Sequence, residues 1–171
     1  MSDRLQHTLA HLETLHAADP ATSVWEGREL PAELAWARRV GAWVARLAPE
    51  ASDALRLAAS CQHLERWTLP RSSHPDGRAG YHAWRREQAR RQSERAREVL
   101  ASCGWDDATC ERVAALVRKE RLATDPEVQA LEDAACLAFL ELELERFADG
   151  RDPDEVVRIL ARTWRKMSPA G

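Results

Sequence analysis

Apolar residues recur along this chain at intervals of three and four, and almost nowhere at intervals of two, which predicts helices and no sheet. Leu5, Leu9, Leu12 and Leu15 lie at helical spacing over residues 3–17, with Ser2 or Asp3 as cap and Asp19-Pro20 as the stop. Residues 21–30 read as a connector. A second helix opens at Pro31 and puts Leu34, Val40, Trp43, Val44 and Leu47 on one face before Pro49 closes it. Ser52 then caps a third helix over 53–67, apolar on most sides and therefore central, which Thr68-Leu69-Pro70 ends. Residues 71–80 form a loop punctuated by Pro75, Gly77 and Gly80.

The second half reads the same way. A long helix over 81–102 is polar and basic at first, apolar at its end, and stops at Gly104. Asp106 and Asp107 start the next, which runs to about Glu120 with Val113, Leu116 and Val117 inward. Thr124 or Asp125 caps a helix that begins at Pro126 and runs to about Ala148. After Gly150 a last helix spans Pro153 to about Lys166. The expectation is an all-α fold of about seven helices in a single domain over 1–171, a length that suits one continuous core.

Composition narrows the classes of function. No apolar run is long enough to span a bilayer, and MSDRLQHTL lacks the basic start and hydrophobic stretch of a signal peptide, so a cytoplasmic protein without a membrane partner is expected. The cysteines at 61, 103, 110 and 136 form no CxxC and read as reduced packing residues. Residues 63–97 carry nine Arg against four acidic residues, in a chain whose net charge is −3. Such a basic island suits a compact anion rather than a long polyanion, which argues against nucleic acid. Only Lys119 and Lys166 are lysines, and where Arg supplies every generic cation a Lys is a candidate for a compact ammonium donor. Seven tryptophans leave room for an exposed apolar patch and a homodimer, or for a well-filled monomer core.

Candidate chemistry concentrates in CQHLERWTLPRSSHPDGRAGYHAWR, residues 61–85. His63 near the end of the most apolar helix is either a hydrogen-bonded core imidazole or a site residue that shares a face with Arg66 and Trp67. Arg71, His74, Arg78 and Arg85 could converge on a phosphate or carboxylate, with Gly77 and Gly80 letting backbone N–H groups approach, or could instead pair with the acidic C-terminal half. Tyr81 and Trp84, with Trp67, serve either as ring-stacking groups or as core. Glu132 and Asp133 stand as an acidic pair among apolar neighbours, so at least one needs a partner: an arginine, or else a metal or substrate. His7 and His11, although at i, i+4, have no acidic or cysteine companion and read as surface.

These residues carry a resemblance. The runs HLERWTLPRSSHPDGRAGYHAWR, LVRKE, DPEVQALEDAACLAFLE and TWRKMSPAG resemble a bacterial and fungal family known as a domain of unknown function (DUF 4202), over about residues 5–170. The layout is also similar to the HD-type phosphohydrolases, all-α enzymes that hold a divalent metal with a His, a His-Asp pair and a later Asp. That similarity implies an HD-like fold, with His63 as the histidine of the pair and Asp133 (or Glu132) as the final carboxylate, so that His63 and Asp133 would be the metal ligands. Trp36 stands near the position of the first histidine, and Leu64 follows His63 where the second metal ligand belongs.

Two functions follow. In one, Glu65, His74, Glu132 and Asp133 rebuild a divalent-metal site around His63, and the chain hydrolyses a small phosphorylated or nucleotide-like metabolite. His63, Glu132, Asp133 and Lys119 then do the chemistry, while Arg66, Arg71, His74, Arg78, Tyr81 and Arg85 bind substrate. In the other, the fold binds an anionic metabolite or an interaction partner without catalysis.

Overall fold

A computed structural model describes residues 2–171, and local signals account for most of its elements. Ser2 accepts from the Leu5 N–H and starts helix α1, Asp3–His16. Helix α2 spans Ala32–Leu47. Ser52 accepts from the Leu55 N–H at the head of α3, Asp53–Cys61. Helix α4 covers Gly77–Ser102 and α5 covers Asp107–Val117, the latter capped by Asp106. Asp125, rather than Thr124, caps α6, Pro126–Leu142, by accepting from the N–H groups of Glu127 and Val128. The short α7, Leu144–Ala148, and α8, Pro153–Lys166, complete the chain. The fold is all-α, with eight helices among the described residues where about seven were expected. The extra one arises because the expected 126–148 helix breaks at Glu143, whose φ of −116° interrupts the helical geometry. No helix of the described residues is long and apolar enough to cross a membrane.

Helix α3 is the centre. Leu55, Leu57, Ala58, Ala59, Ser60 and Cys61 are all buried, and α3 packs against α1, α2 and α5. Around it Leu5, Leu12, Val40, Val44, Leu100, Leu116 and Leu131 join one contiguous core; each such side chain contributes about 1.5–3 kcal/mol by leaving water. Some buried polar groups are matched: His16 donates through Nε2 to the Ser60 carbonyl (2.8 Å), and Trp105 donates to Thr8 Oγ1 (2.9 Å), whereas His16 Nδ1, Gln62 Nε2 and the indole nitrogens of Trp25 and Trp36 find no partner among the described residues. All four cysteines are free thiols. His7 and His11 are exposed on α1.

Helix α4 starts at Gly77, inside the loop expected over 71–80, and two further segments depart from the sequence expectation. The connector at 21–30 is a β-hairpin, with β1 (Thr22–Trp25) antiparallel to β2 (Arg28–Pro31) in a register that pairs Trp25 with Arg28. Its two-residue turn is Glu26-Gly27, both at positive φ (51° and 73°), the twist that two-residue hairpins need. Asp19 ties this hairpin to the body by accepting from Ala21 N–H (3.0 Å) and from Glu33 N–H (2.9 Å) in the first turn of α2.

The second departure is at the site. The helix expected over 53–67 ends at Cys61, and His63 and Glu65 take left-handed backbone angles (φ 61° and 51°) before a 3-10 turn at Arg66–Thr68. Each such residue costs roughly 1 kcal/mol. The carbonyls that lose helical partners are taken over by α4: Gln88 Nε2 donates to Arg66 O (2.9 Å) and Leu69 O (2.8 Å), and Trp84 Nε1 donates to Leu69 O (2.9 Å). Tertiary hydrogen bonds therefore replace the last helical turn and aim His63 away from the core axis.

Candidate functional site

The broken turn forms the floor of a cavity of about 530 Å³ that draws its lining from α2, the 61–67 turn, α4, the end of α5, α6, α7 and α8. His63 lies flat against Trp36 of α2, with ring centroids 4.3 Å apart and planes within 10°. Its Nδ1 is 3.0 Å from Glu33 Oε2, and the Arg66 guanidinium closes on its Nε2. A guanidinium can only donate, so Nε2 accepts; Nδ1 then carries the ring hydrogen and donates to Glu33. Arg66 itself stacks over the Trp84 ring at 4.9 Å. The result is a directed chain from Arg66 through His63 to Glu33.

The electrostatics of this chain are unusual. Burial raises the Glu33 carboxyl to about 8, against the pull of Arg66. Burial also drives the His63 imidazole well below the usual histidine range, and Arg66, Arg85 and Lys119 push in the same direction. Near neutral pH the pair therefore holds one titratable proton, on the carboxyl side.

Opposite the floor, Lys119 makes an ion pair with Glu132, and Lys166 stands 3.7 Å from the same carboxylate. Burial alone would raise Glu132, but Lys119, Lys166 and Arg85 outweigh it and hold the carboxyl below its usual value. The two lysines of the chain thus meet on one buried carboxylate, where an arginine, a metal or a substrate was the expected partner. Lys119 sits at φ 56°, just past the end of α5. Cys136, 3.9 Å from Glu132, is pushed up to about 11 by burial and by that carboxylate, so it is an inert thiol at neutral pH.

The structure brings together only part of the set expected from sequence. His63, Arg66, Tyr81, Arg85, Lys119 and Glu132 all line the cavity, with Trp67 and Trp84 beside them. Asp133 does not. It is 2% exposed, and its Oδ1 accepts from Gln129 Nε2 and Ser168 N–H while Oδ2 accepts from Ser168 Oγ, so it anchors the C-terminal tail. Arg71 uses its fork on its own loop, donating to the carbonyls of His74 and Pro75 at 2.8 Å each, and among the described residues it pairs with no acidic group. His74 bonds to Ser73 Oγ, and Arg78 is exposed and reaches only His82.

Gly80 serves the fold rather than a ligand, because a Cβ there would meet the Pro75 carbonyl oxygen at 1.9 Å. Gly80→Ala is expected to lower stability by about 1–2 kcal/mol as the loop at Pro75 is pushed off α4. A denaturation midpoint equal to wild type would contradict this packing role.

A divalent-metal site does not fit. Among the described residues no group of three or more His, Cys, Asp and Glu side chains converges. Glu65 is taken by Arg95 (3.2 Å), Asp133 by Ser168, and the ring of His63 faces Arg66. Cations around the imidazole repel a second cation, so the rebuilt set of His63 with Glu65, His74, Glu132 and Asp133 is not assembled.

Sequence reasoning missed Glu33, the partner of His63, along with Arg146 and Phe147 of α7, which complete the cavity wall. Glu33 lies in the first turn of α2, where a glutamate reads simply as a complement to the helix dipole. No spacing in the sequence singles it out.

Fold and site together define an all-α domain with a cation-rich, aromatic-lined cavity built around a half-buried Glu–His pair. The chain belongs to the family described as Domain of unknown function (DUF4202), whose profile matches residues 6–171. No curated protein and no solved structure matches the chain.

Proposed function

We propose that the cavity binds a small phosphorylated or nucleotide-like metabolite, with its anionic group on Arg66 and Arg85. One observation carries this reading: Arg66 is half-buried yet has no carboxylate ion-pair partner among the described residues, resting instead on an imidazole and an indole face. Buried cations are normally paired, and an incoming oxyanion supplies the missing partner with the fork geometry a guanidinium favours. Arg85 lines the same space, also without an ion pair among the described residues. Trp67 and Tyr81 offer faces for a ring.

A second, catalytic reading is favoured by the Glu33–His63 pair. An anion that draws Arg66 off Nε2 frees a lone pair that can take a proton from water, while Glu33 keeps the ring oriented. In an HD-like layout Trp36, which stands near the place of the first histidine, is a departure: it stacks on His63 and supplies no metal ligand. The metal-dependent form of the hydrolase reading finds no donor set here.

Thermal melting against inorganic phosphate and nucleoside monophosphates tests both readings. Compound at ten times its dissociation constant is expected to stabilise by about 1.4 kcal/mol, a rise of roughly 3–6 °C, with the shift lost in Arg66→Ala. Phosphate release that vanishes in His63→Ala selects the hydrolase; compounds recovered unchanged select the binder. No melting shift with any of these anions would sink the site assignment.

A further inference from the structure

The last helix is only lightly packed on the rest of the molecule. None of the residues of α8 is fully buried, and its Ile159, Thr163 and Lys166 edge lines the cavity. A 14-residue helix is marginal in water by itself. This one also carries an apolar stripe: Pro153, Val157, Leu160 and Trp164 follow a four-three-four spacing, the seam of a two-helix pair, with Leu160 half-buried and the other three exposed. Val157 is 62% exposed and Trp164 75%.

Charge along α8 is polarised as well. Asp152, Asp154 and Glu155 open the helix, and Arg162, Arg165 and Lys166 close it. At about 100° per residue, Asp154 and Arg165 fall on the same flank of the stripe, within about 20° of each other. Among the described residues neither has an ion-pair partner, although Arg158 and Arg151 in the same region do reach acidic groups.

We propose that this stripe is the interface of a homodimer in which α8 of one copy packs antiparallel against α8 of the other about a twofold axis. In this register Pro153 meets Trp164 of the other copy, and Val157 meets Leu160. Positions on the same flank of the seam face each other in an antiparallel pair, so Asp154 of each copy lies beside Arg165 of the other, twice by symmetry. The antiparallel arrangement also sets the two helix dipoles head to tail, whereas a parallel pairing would bring acidic end to acidic end and basic end to basic end. The patch is self-complementary in shape and in charge, which is the requirement a twofold contact imposes. Because the inner edge of the same helix walls the cavity, dimer formation would also hold that wall in place.

The test is the solution mass, measured by sedimentation at tens of micromolar, of the wild type, Trp164→Ala, Asp154→Arg, Arg165→Asp and the double swap Asp154→Arg with Arg165→Asp. The wild type is expected at twice the 19.3 kDa of one chain. Trp164→Ala should weaken the dimer by about tenfold or more, each single reversal should weaken it by opposing like charges, and the double swap should restore it. Circular dichroism checks that each variant folds, as the exposure of these side chains leads us to expect. A wild type that stays at the mass of one chain would overturn the proposal. A dimer indifferent to Trp164→Ala and to both reversals would do the same, as would an α8 face that binds anionic vesicles while the protein remains a single chain.

Discussion

Asp133→Ala is expected to lower the melting temperature by about 6–12 °C. The carboxylate is almost wholly enclosed and accepts three hydrogen bonds, from Gln129 Nε2, Ser168 N–H and Ser168 Oγ. Hydrogen bonds to a charged group contribute about 1.5–3 kcal/mol each, and a truncation here also leaves donors without partners. These effects are not additive, so a total of about 3 kcal/mol is the reasonable scale, and at this chain length each kcal/mol moves the midpoint by roughly 2–4 °C. The loss should fall first on the C-terminal region. Gln129 also donates to the Lys166 carbonyl, so the same cluster secures the end of α8. Early proteolysis within 150–166 of the variant is therefore expected before the rest of the chain opens. Asp133→Asn keeps the shape and one acceptor, and should lose about half as much. Unchanged melting in Asp133→Ala would show that the tail is not held by this contact.

Asp133 also shows what can and cannot be read from a linear pattern. Its neighbourhood announces a carboxylate that needs a partner, because apolar residues surround it on α6. The partner, Ser168, lies 35 positions away in a tail with no periodicity, and nothing local points to it. Glu132 gave the same signal, and its two lysines were legible as unusual residues only because the chain otherwise uses Arg. Helix boundaries fared better where a cap or proline fixes them, as at Ser52, Asp106, Asp125-Pro126 and Pro153. The hairpin was hidden because each strand has only four half-exposed residues and the turn is Glu-Gly rather than Asn-Gly. At 62–67 the local sequence reads as helix, and the side chains of Gln88 and Trp84 override it from a distant element. That override brings His63 to Glu33, and so the site depends on the least predictable turn of the fold.

The Glu33–His63 pair gives the protein a stability profile of definite shape. Unfolded, the carboxyl titrates near 4.5 and the imidazole near 6.5; folded, the carboxyl is raised to about 8 and the imidazole lies well below its unfolded value. Between about pH 4.5 and 6.5 each state binds one proton, in the native chain on Glu33 and in the unfolded chain on His63, so the pair contributes no slope. Above 6.5 the unfolded chain has released its proton while the native pair retains one. Stability then falls with rising pH, by about 2 kcal/mol by pH 8, at 1.36 kcal/mol per unit. Below 4.5 the unfolded chain binds two protons against one, and stability falls again as acid is added. Glu33→Gln removes the alkaline limb, since an amide has nothing to ionise in the buried position. Urea midpoints of the wild type are expected to decline between pH 6.5 and 8 while those of Glu33→Gln stay level. Parallel curves for the two proteins across that interval would mean that Glu33 is already ionised at neutral pH. His63 would then be held by a carboxylate, the arrangement of a standing general base rather than one masked by Arg66.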